Sequence, residues 1–142
     1  MEKVSIFWNT LCLNFKYNFF TGVPFNEFRL LFNTMKSEFL HYIPTTNEVS
    51  ALGVSTGYSM GGYKSVLVIK SDRFTLIKDQ FEKINVIHEL PILIITDSLF
   101  NPLELKQFKL SNGLESIKEA DDYISSSRKS AILIIEEEDL IK

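Results

Sequence analysis

Four short apolar runs, residues 18–23, 65–69, 91–95 and 131–135, are each bounded by polar or turn-forming residues. The last three contain Val66-Leu67-Val68-Ile69, Ile92-Leu93-Ile94-Ile95 and Ala131-Ile132-Leu133-Ile134-Ile135, and none alternates apolar with polar positions. A continuous apolar run marks a strand covered on both faces, as in a parallel sheet, whereas a half-exposed strand alternates. Residues 39–43 form a weaker fifth candidate strand. Between the runs the period becomes helical: Phe25, Phe28, Leu31 and Phe32 recur at i, i+3, i+6 and i+7, and Leu76, Ile77, Phe81, Ile84 and Ile87 or His88 do much the same. Val4, Phe7 or Trp8, Leu11 and Phe15 suggest an opening helix, residues 47–60 another, and 115–125 a last one. Such alternation predicts an α/β fold of three layers, an open and mostly parallel sheet with helices on both faces. Residues 99–114, with Asn101-Pro102 and Asn112-Gly113, are the longest irregular stretch. The plain reading is a surface loop, although in such a sheet the loop leaving a strand's carboxyl end often borders a ligand crevice.

The length of 142 residues is that of one domain, read here as spanning residues 1–142. A net charge of -3 gives no basic footprint for nucleic acid or an anionic membrane surface. Cys12 is the single cysteine, so no internal disulfide can form and a reducing, cytoplasmic setting fits. No stretch approaches the ~18 apolar residues of a membrane span, and no small-residue cleavage site follows the apolar N-terminus.

Neither a Gly-x-Gly-x-x-Gly turn nor a Gly-x4-Gly-Lys-Ser/Thr loop is present, which removes the usual nucleotide-binding signatures. A Ser-His-Asp hydrolase is not expected. His41 and His88 are isolated and read as packed or surface residues rather than ligands.

Two segments carry more information. Phe19-Phe20-Thr21-Gly22-Val23-Pro24 is followed, one helix and one strand later, by Thr46-Asn47-Glu48-Val49-Ser50-Ala51-Leu52-Gly53-Val54-Ser55-Thr56-Gly57-Tyr58. Together they resemble the pyrimidine-binding domain of thiamine-diphosphate-dependent 2-oxo acid decarboxylases, above all phosphonopyruvate decarboxylase and the alpha subunit of sulfopyruvate decarboxylase. In those families a Gly-Val-Pro turn follows the first strand and an Asn-Glu dipeptide opens a helix. The resemblance continues to Glu89-Leu90-Pro91-Ile92-Leu93-Ile94-Ile95, where the family has a similar Pro-led strand.

The resemblance implies that Glu48 is catalytic, its carboxyl group hydrogen-bonding N1′ of the cofactor's aminopyrimidine and exchanging a proton there. It implies that Pro24, Ser71 and Asp72 line the same pocket with Glu48. On the residues alone, Glu48 is an ordinary first-turn acid behind Thr46 or Asn47 as the helix cap. The family binds the diphosphate through a divalent ion, Mg2+, in a second domain marked by Gly-Asp-Gly, a motif this chain lacks. A separate diphosphate-binding beta subunit, and hence a hetero-oligomer, is therefore implied. Gly53, Gly57 and Gly61, spaced by four, suggest that another backbone approaches this helix closely, from within the domain or from that partner.

Three departures stand against an exact transfer of substrate. Phe25 and Asn26 stand where the relatives place an Asp, although Glu27 is near. Lys70-Ser71-Asp72-Arg73-Phe74 replaces a Gly-containing cofactor loop, and Thr96-Asp97-Ser98-Leu99-Phe100 replaces another family segment. A carbon-carbon-bond-forming synthase subunit and a non-catalytic scaffold of the same fold are the alternatives to decarboxylation of a 2-oxo acid. The missing diphosphate motif predicts that the chain alone binds thiamine diphosphate weakly or not at all and has no decarboxylase activity. Calorimetry checks this, and tight magnesium-dependent binding by the chain alone would contradict it.

Overall fold

A computed structural model describes residues 3–35, 38, 40–98 and 105–141. The apolar runs form strands β1 (Phe19–Gly22), β3 (Ser65–Val68), β4 (Leu93–Thr96) and β6 (Ala131–Ile134), and the weaker candidate forms β2 (His41–Pro44). Residue 39, where that strand was expected to begin, lies outside the described residues, as does the first part of the 99–114 stretch. The later part of that stretch is not wholly irregular: Lys106–Lys109 is a further strand, β5. Its two lysines are exposed and only its middle residues are half-buried, so it carries no apolar run to announce it.

The strands pair in the order β2-β1-β3-β4-β6-β5, and every pairing is parallel. The sheet is therefore all-parallel where a mostly parallel one was expected. Successive residues of its central strands enter two different cores. Val66, Val68, Leu93, Ile95, Ala131 and Leu133 face one, and Leu67, Ile94, Ile132 and Ile134 face the other, which is why no polar position interrupts these runs.

The first core is closed by α1 (Lys3–Trp8), which continues as a wider helical turn to Asn14, by α2 (Arg29–Asn33), and by α5 (Glu115–Ser127). The second is closed by α3 (Glu48–Met60) and by a chain of short turns: Ser71–Leu76, α4 (Lys78–Gln80) and Phe81–Val86. Phe74, Ile77 and Phe81 are the inward anchors of that chain. At the amino edge of the sheet Asp121 accepts hydrogen bonds from Tyr17 Oη at 2.8 Å and Lys64 Nζ at 3.0 Å, tying α5 to the starts of β1 and β3.

The connection from β1 runs outward to β2, and α3 then carries the chain back across β1 to β3, from which it proceeds to β4. Neighbouring strands β1 and β3 thus send their connections in opposite directions. In an open α/β sheet this switch point opens a crevice at the carboxyl ends of the strands. Gly22 sits there, paired with Val68 of β3 and Pro44 of β2, and a Cβ at position 22 would run into the Val68 carbonyl oxygen. Only glycine lets the backbones of β1 and β3 come this close. Gly22→Ala should therefore lower stability by roughly 1–3 kcal/mol, the usual cost of overpacking, read as a lower urea midpoint. A midpoint equal to wild type would contradict the close approach.

Candidate functional site

The helix that returns across β1 is held at its start by three groups. Asn47 is extended (φ -151°, ψ 157°) and its side-chain oxygen accepts from the Ser50 N–H at 2.8 Å, the geometry of an N-cap. The Thr45 N–H donates to the Gly22 carbonyl at 3.0 Å, joining the β2–α3 loop to the end of β1. Farther along, Ser55 and Ser65 are buried and their hydroxyls lie 3.0 Å apart, seating α3 on β3. Ala51 and Leu52 fill the inward face.

Glu48 is consequently the first residue of α3, and it is turned inward: its side chain is 9% exposed. A carboxylate so far removed from water needs a cation or several donors. Arg73 supplies them. Its Nε donates to Oε2 at 3.4 Å and its Nη2 to Oε1 at 3.5 Å, a side-on fork from a guanidinium that is itself 54% exposed. Arg73 belongs to the turn Ser71–Leu76 that follows β3. Arg73 was not among the residues that the sequence singled out, since nothing local to residues 70–74 points to Glu48.

The loop after β3 is in turn fastened to the loop after β4. Asp97 Oδ1 accepts from the Ser71 N–H at 2.9 Å, and the Ser71 and Ser98 hydroxyls are 2.7 Å apart. The loops after β3 and β4 therefore satisfy each other's polar groups. Lys70 extends the link to the β1 loop, lying 3.4 Å from Glu27 and 3.8 Å from Asp72. Glu27 and Asp97 also border a cleft of about 380 Å³ with Ser98 and the acidic run Glu136-Glu137-Glu138 after β6.

The expected pocket residues all lie at this carboxyl edge, in different settings. Pro24 and Asp72 are exposed, Ser71 is half-buried with its hydroxyl on Ser98, and Glu48 is buried. The polar bonds of the Glu48 carboxylate go to Arg73, and none links it to Ser71 or Asp72 in this conformation.

Other candidates resolve plainly. Gly53-Val54-Ser55-Thr56-Gly57 has the Gly-x-Ser-x-Gly spacing of a hydrolase nucleophile elbow, which corrects the expectation that the chain holds no such motif. It lies inside α3 rather than at a strand-to-helix turn, and Ser55 is fully buried on Ser65, so the serine is structural. A Cβ added at Gly53 or Gly57 would meet nothing within 4 Å; no neighbouring helix of the described chain needs these glycines, and they lie on an open face. His88 is exposed, and His41 stacks on Phe19 with ring centroids 5.3 Å apart. Among the described residues no group of three or more His, Cys, Asp or Glu is placed to hold a metal ion. Among them, too, no helix is long and apolar enough to cross a membrane.

No family model matches the chain, and no curated protein does. Its fold is that of a solved structure, the 2-oxoglutarate:ferredoxin oxidoreductase from Magnetococcus marinus with 2-oxoglutarate, coenzyme A and succinyl-CoA bound, with a TM-score of 0.73 at 11% identity. The superposition covers 99% of this chain and 30% of that one, so this chain spans under a third of that protein's length. The three-layer α/β class expected from the sequence is the class observed.

Because Asn47 is what fixes the start of α3, Asn47→Ala should cost about 1 kcal/mol of stability, measured by urea denaturation. An unchanged midpoint would mean that the cap does not position Glu48.

Proposed function

We propose that this chain is the pyrimidine-binding, or alpha, subunit of a heteromeric thiamine-diphosphate enzyme that acts on a 2-oxo acid, and more narrowly a decarboxylase of the sulfopyruvate or phosphonopyruvate type. The observation that carries the reading is Glu48: a buried carboxylate at the start of a capped helix, beside the switch point of an all-parallel sheet. A fold shared with a protein that binds 2-oxoglutarate supports the same class of substrate.

The residues fit the group. A carboxyl group held away from water, with its only described polar bonds made to a half-exposed side chain that can swing aside, is suited to hydrogen-bond a ring nitrogen. Thiamine diphosphate, when bound, would supply the electron sink for loss of carbon dioxide. Glu48 would orient its pyrimidine and hold or release a proton at N1′. Pro24, Ser71 and Asp72 would border the ring. Mg2+ and the diphosphate would be held by the beta subunit, and the complex would work in the cytoplasm.

The open glycine face of α3 is the surface proposed to meet the partner. Gly57→Leu, which a helix tolerates, should leave the chain folded and abolish or weaken the complex on gel filtration; normal assembly would remove this face from the interface.

A second reading, a scaffold without catalysis, draws on the Arg73 contact that occupies Glu48. Glu48→Gln in the assembled complex separates the two. The substitution keeps shape and hydrogen bonding but removes the ionisable group, and turnover should fall by ~10²–10⁴-fold, as when a positioned acid-base group is lost. Exchange of the cofactor's C2 proton with deuterated water should be accelerated by wild type and not by the mutant. Equal exchange rates from folded, assembled proteins would leave Glu48 a helix-start acid.

A further inference from the structure

We infer that the amino edge of the sheet carries a separate binding site, for a small zwitterionic amino acid such as glycine, alanine or serine. It lies at the opposite end of the strands from Glu48 and needs neither thiamine diphosphate nor a partner subunit. A cavity of about 170 Å³ opens there between the last turns of α3 and α5, bordered by Ser59 and Gly62 from one and by Ser125 and Arg128 from the other. At the ~30 Å³ that a water molecule takes up in the liquid, such a space suits a ligand of about six non-hydrogen atoms. Ile92 and Ile124 give it an apolar wall.

Asp121, which lines the cavity, is half-answered. Its side chain is only 12% exposed, and both of its bonds, from Tyr17 Oη and Lys64 Nζ, fall on Oδ1. Oδ2 has no bond to any described residue. An ionised carboxylate oxygen is an acceptor only and takes a donor. The carbonyls that end two 13-residue helices, α3 and α5, add partial negative charge on the same side, so the donor that fits best is a charged ammonium.

Arg128 supplies the opposite charge. Its Nη2 donates to the Glu89 carbonyl at 3.3 Å, while Nε and Nη1 have no bond to any described residue. Its backbone is left-handed (φ 57°, ψ 29°) at the end of α5, a position where glycine is the usual residue. An arginine held in that conformation is explained by its guanidinium rather than by the turn. Asp121 is the only acid among the described residues that line the cavity, and Lys64 offsets its charge at 3.0 Å, so a carboxylate reaching Arg128 meets no net repulsion. A ligand with one charged end leaves either Asp121 Oδ2 or Arg128 unanswered. An amino acid answers both, with its ammonium on Asp121, its carboxylate on Arg128 and its Cα against the apolar wall.

The test uses the full chain with alanine as the probe, read by the backbone amide resonances of Gly62 and Ser125. Alanine should shift both in a saturable manner. Acetate and ethylamine, each with one charged end, should bind about tenfold more weakly or worse, as when a hydrogen bond to a charged group is lost, and phenylalanine is too large to enter. Arg128→Gln should weaken alanine binding by a similar factor, and Asp121→Asn should remove it. Absence of saturable shifts in wild type would overturn the inference. So would acetate, ethylamine or phenylalanine binding as tightly as alanine, or either variant binding alanine like wild type. Should Asp121→Asn not fold, since Asp121 also holds Tyr17 and Lys64, Ser125→Phe decides, because it fills the cavity from an exposed helix position: retained alanine binding refutes the site and lost binding supports it. None of these outcomes involves Glu48, so this inference and the proposed function stand or fall separately.

Discussion

A carboxylate taken out of water must be answered by charge or by donors, and Glu48 places that demand at the start of α3. Its side chain is 9% exposed, and uncompensated burial of such a group costs several kcal/mol. Arg73 answers that demand. This single requirement organises the loops around it: the turn after β3 must present an arginine at this height, so its backbone must be fixed, and the fixing is done by Phe74 in the core and by Asp97 and Ser98 from the neighbouring loop.

The sheet makes the arrangement possible. Because β1 and β3 are adjacent and connect in opposite directions, the loops that follow them separate above Gly22, and the helix that crosses between them enters the gap with its N-terminal end. Residue 22 is small for a reason of backbone contact, not of flexibility. The helix end also favours an acid electrostatically, since its unpaired N–H groups carry partial positive charge. Position, burial and field therefore agree on a carboxylate at residue 48.

Much of this could be read in the chain. Strands buried on both faces declare themselves as unbroken apolar runs, and β3, β4 and β6 were legible for that reason. The helix from Glu48 to Met60 was legible through its cap. Strand β5 was not, because an edge strand with exposed Lys106 and Lys109 buries too little to leave a pattern. At the candidate site, Glu48 was singled out through a motif. Arg73 and Asp97 could not be, because their meaning comes from partners 25 and 26 residues away in the chain, and nothing local records those partners. Residues 70–74 and 96–98, which read as unrelated segments of the sequence, are fastened to each other through Ser71, Asp97 and Ser98.

The central claim is that Glu48 serves a cofactor ring which arrives with a second subunit. The most direct measurement is a structure of the assembled complex with thiamine diphosphate. The account predicts a Glu48 carboxyl oxygen within hydrogen-bonding distance of N1′, about 2.6–3.2 Å, with Arg73 turned away from it. A complex in which the cofactor lies elsewhere while Glu48 remains paired with Arg73 would contradict it.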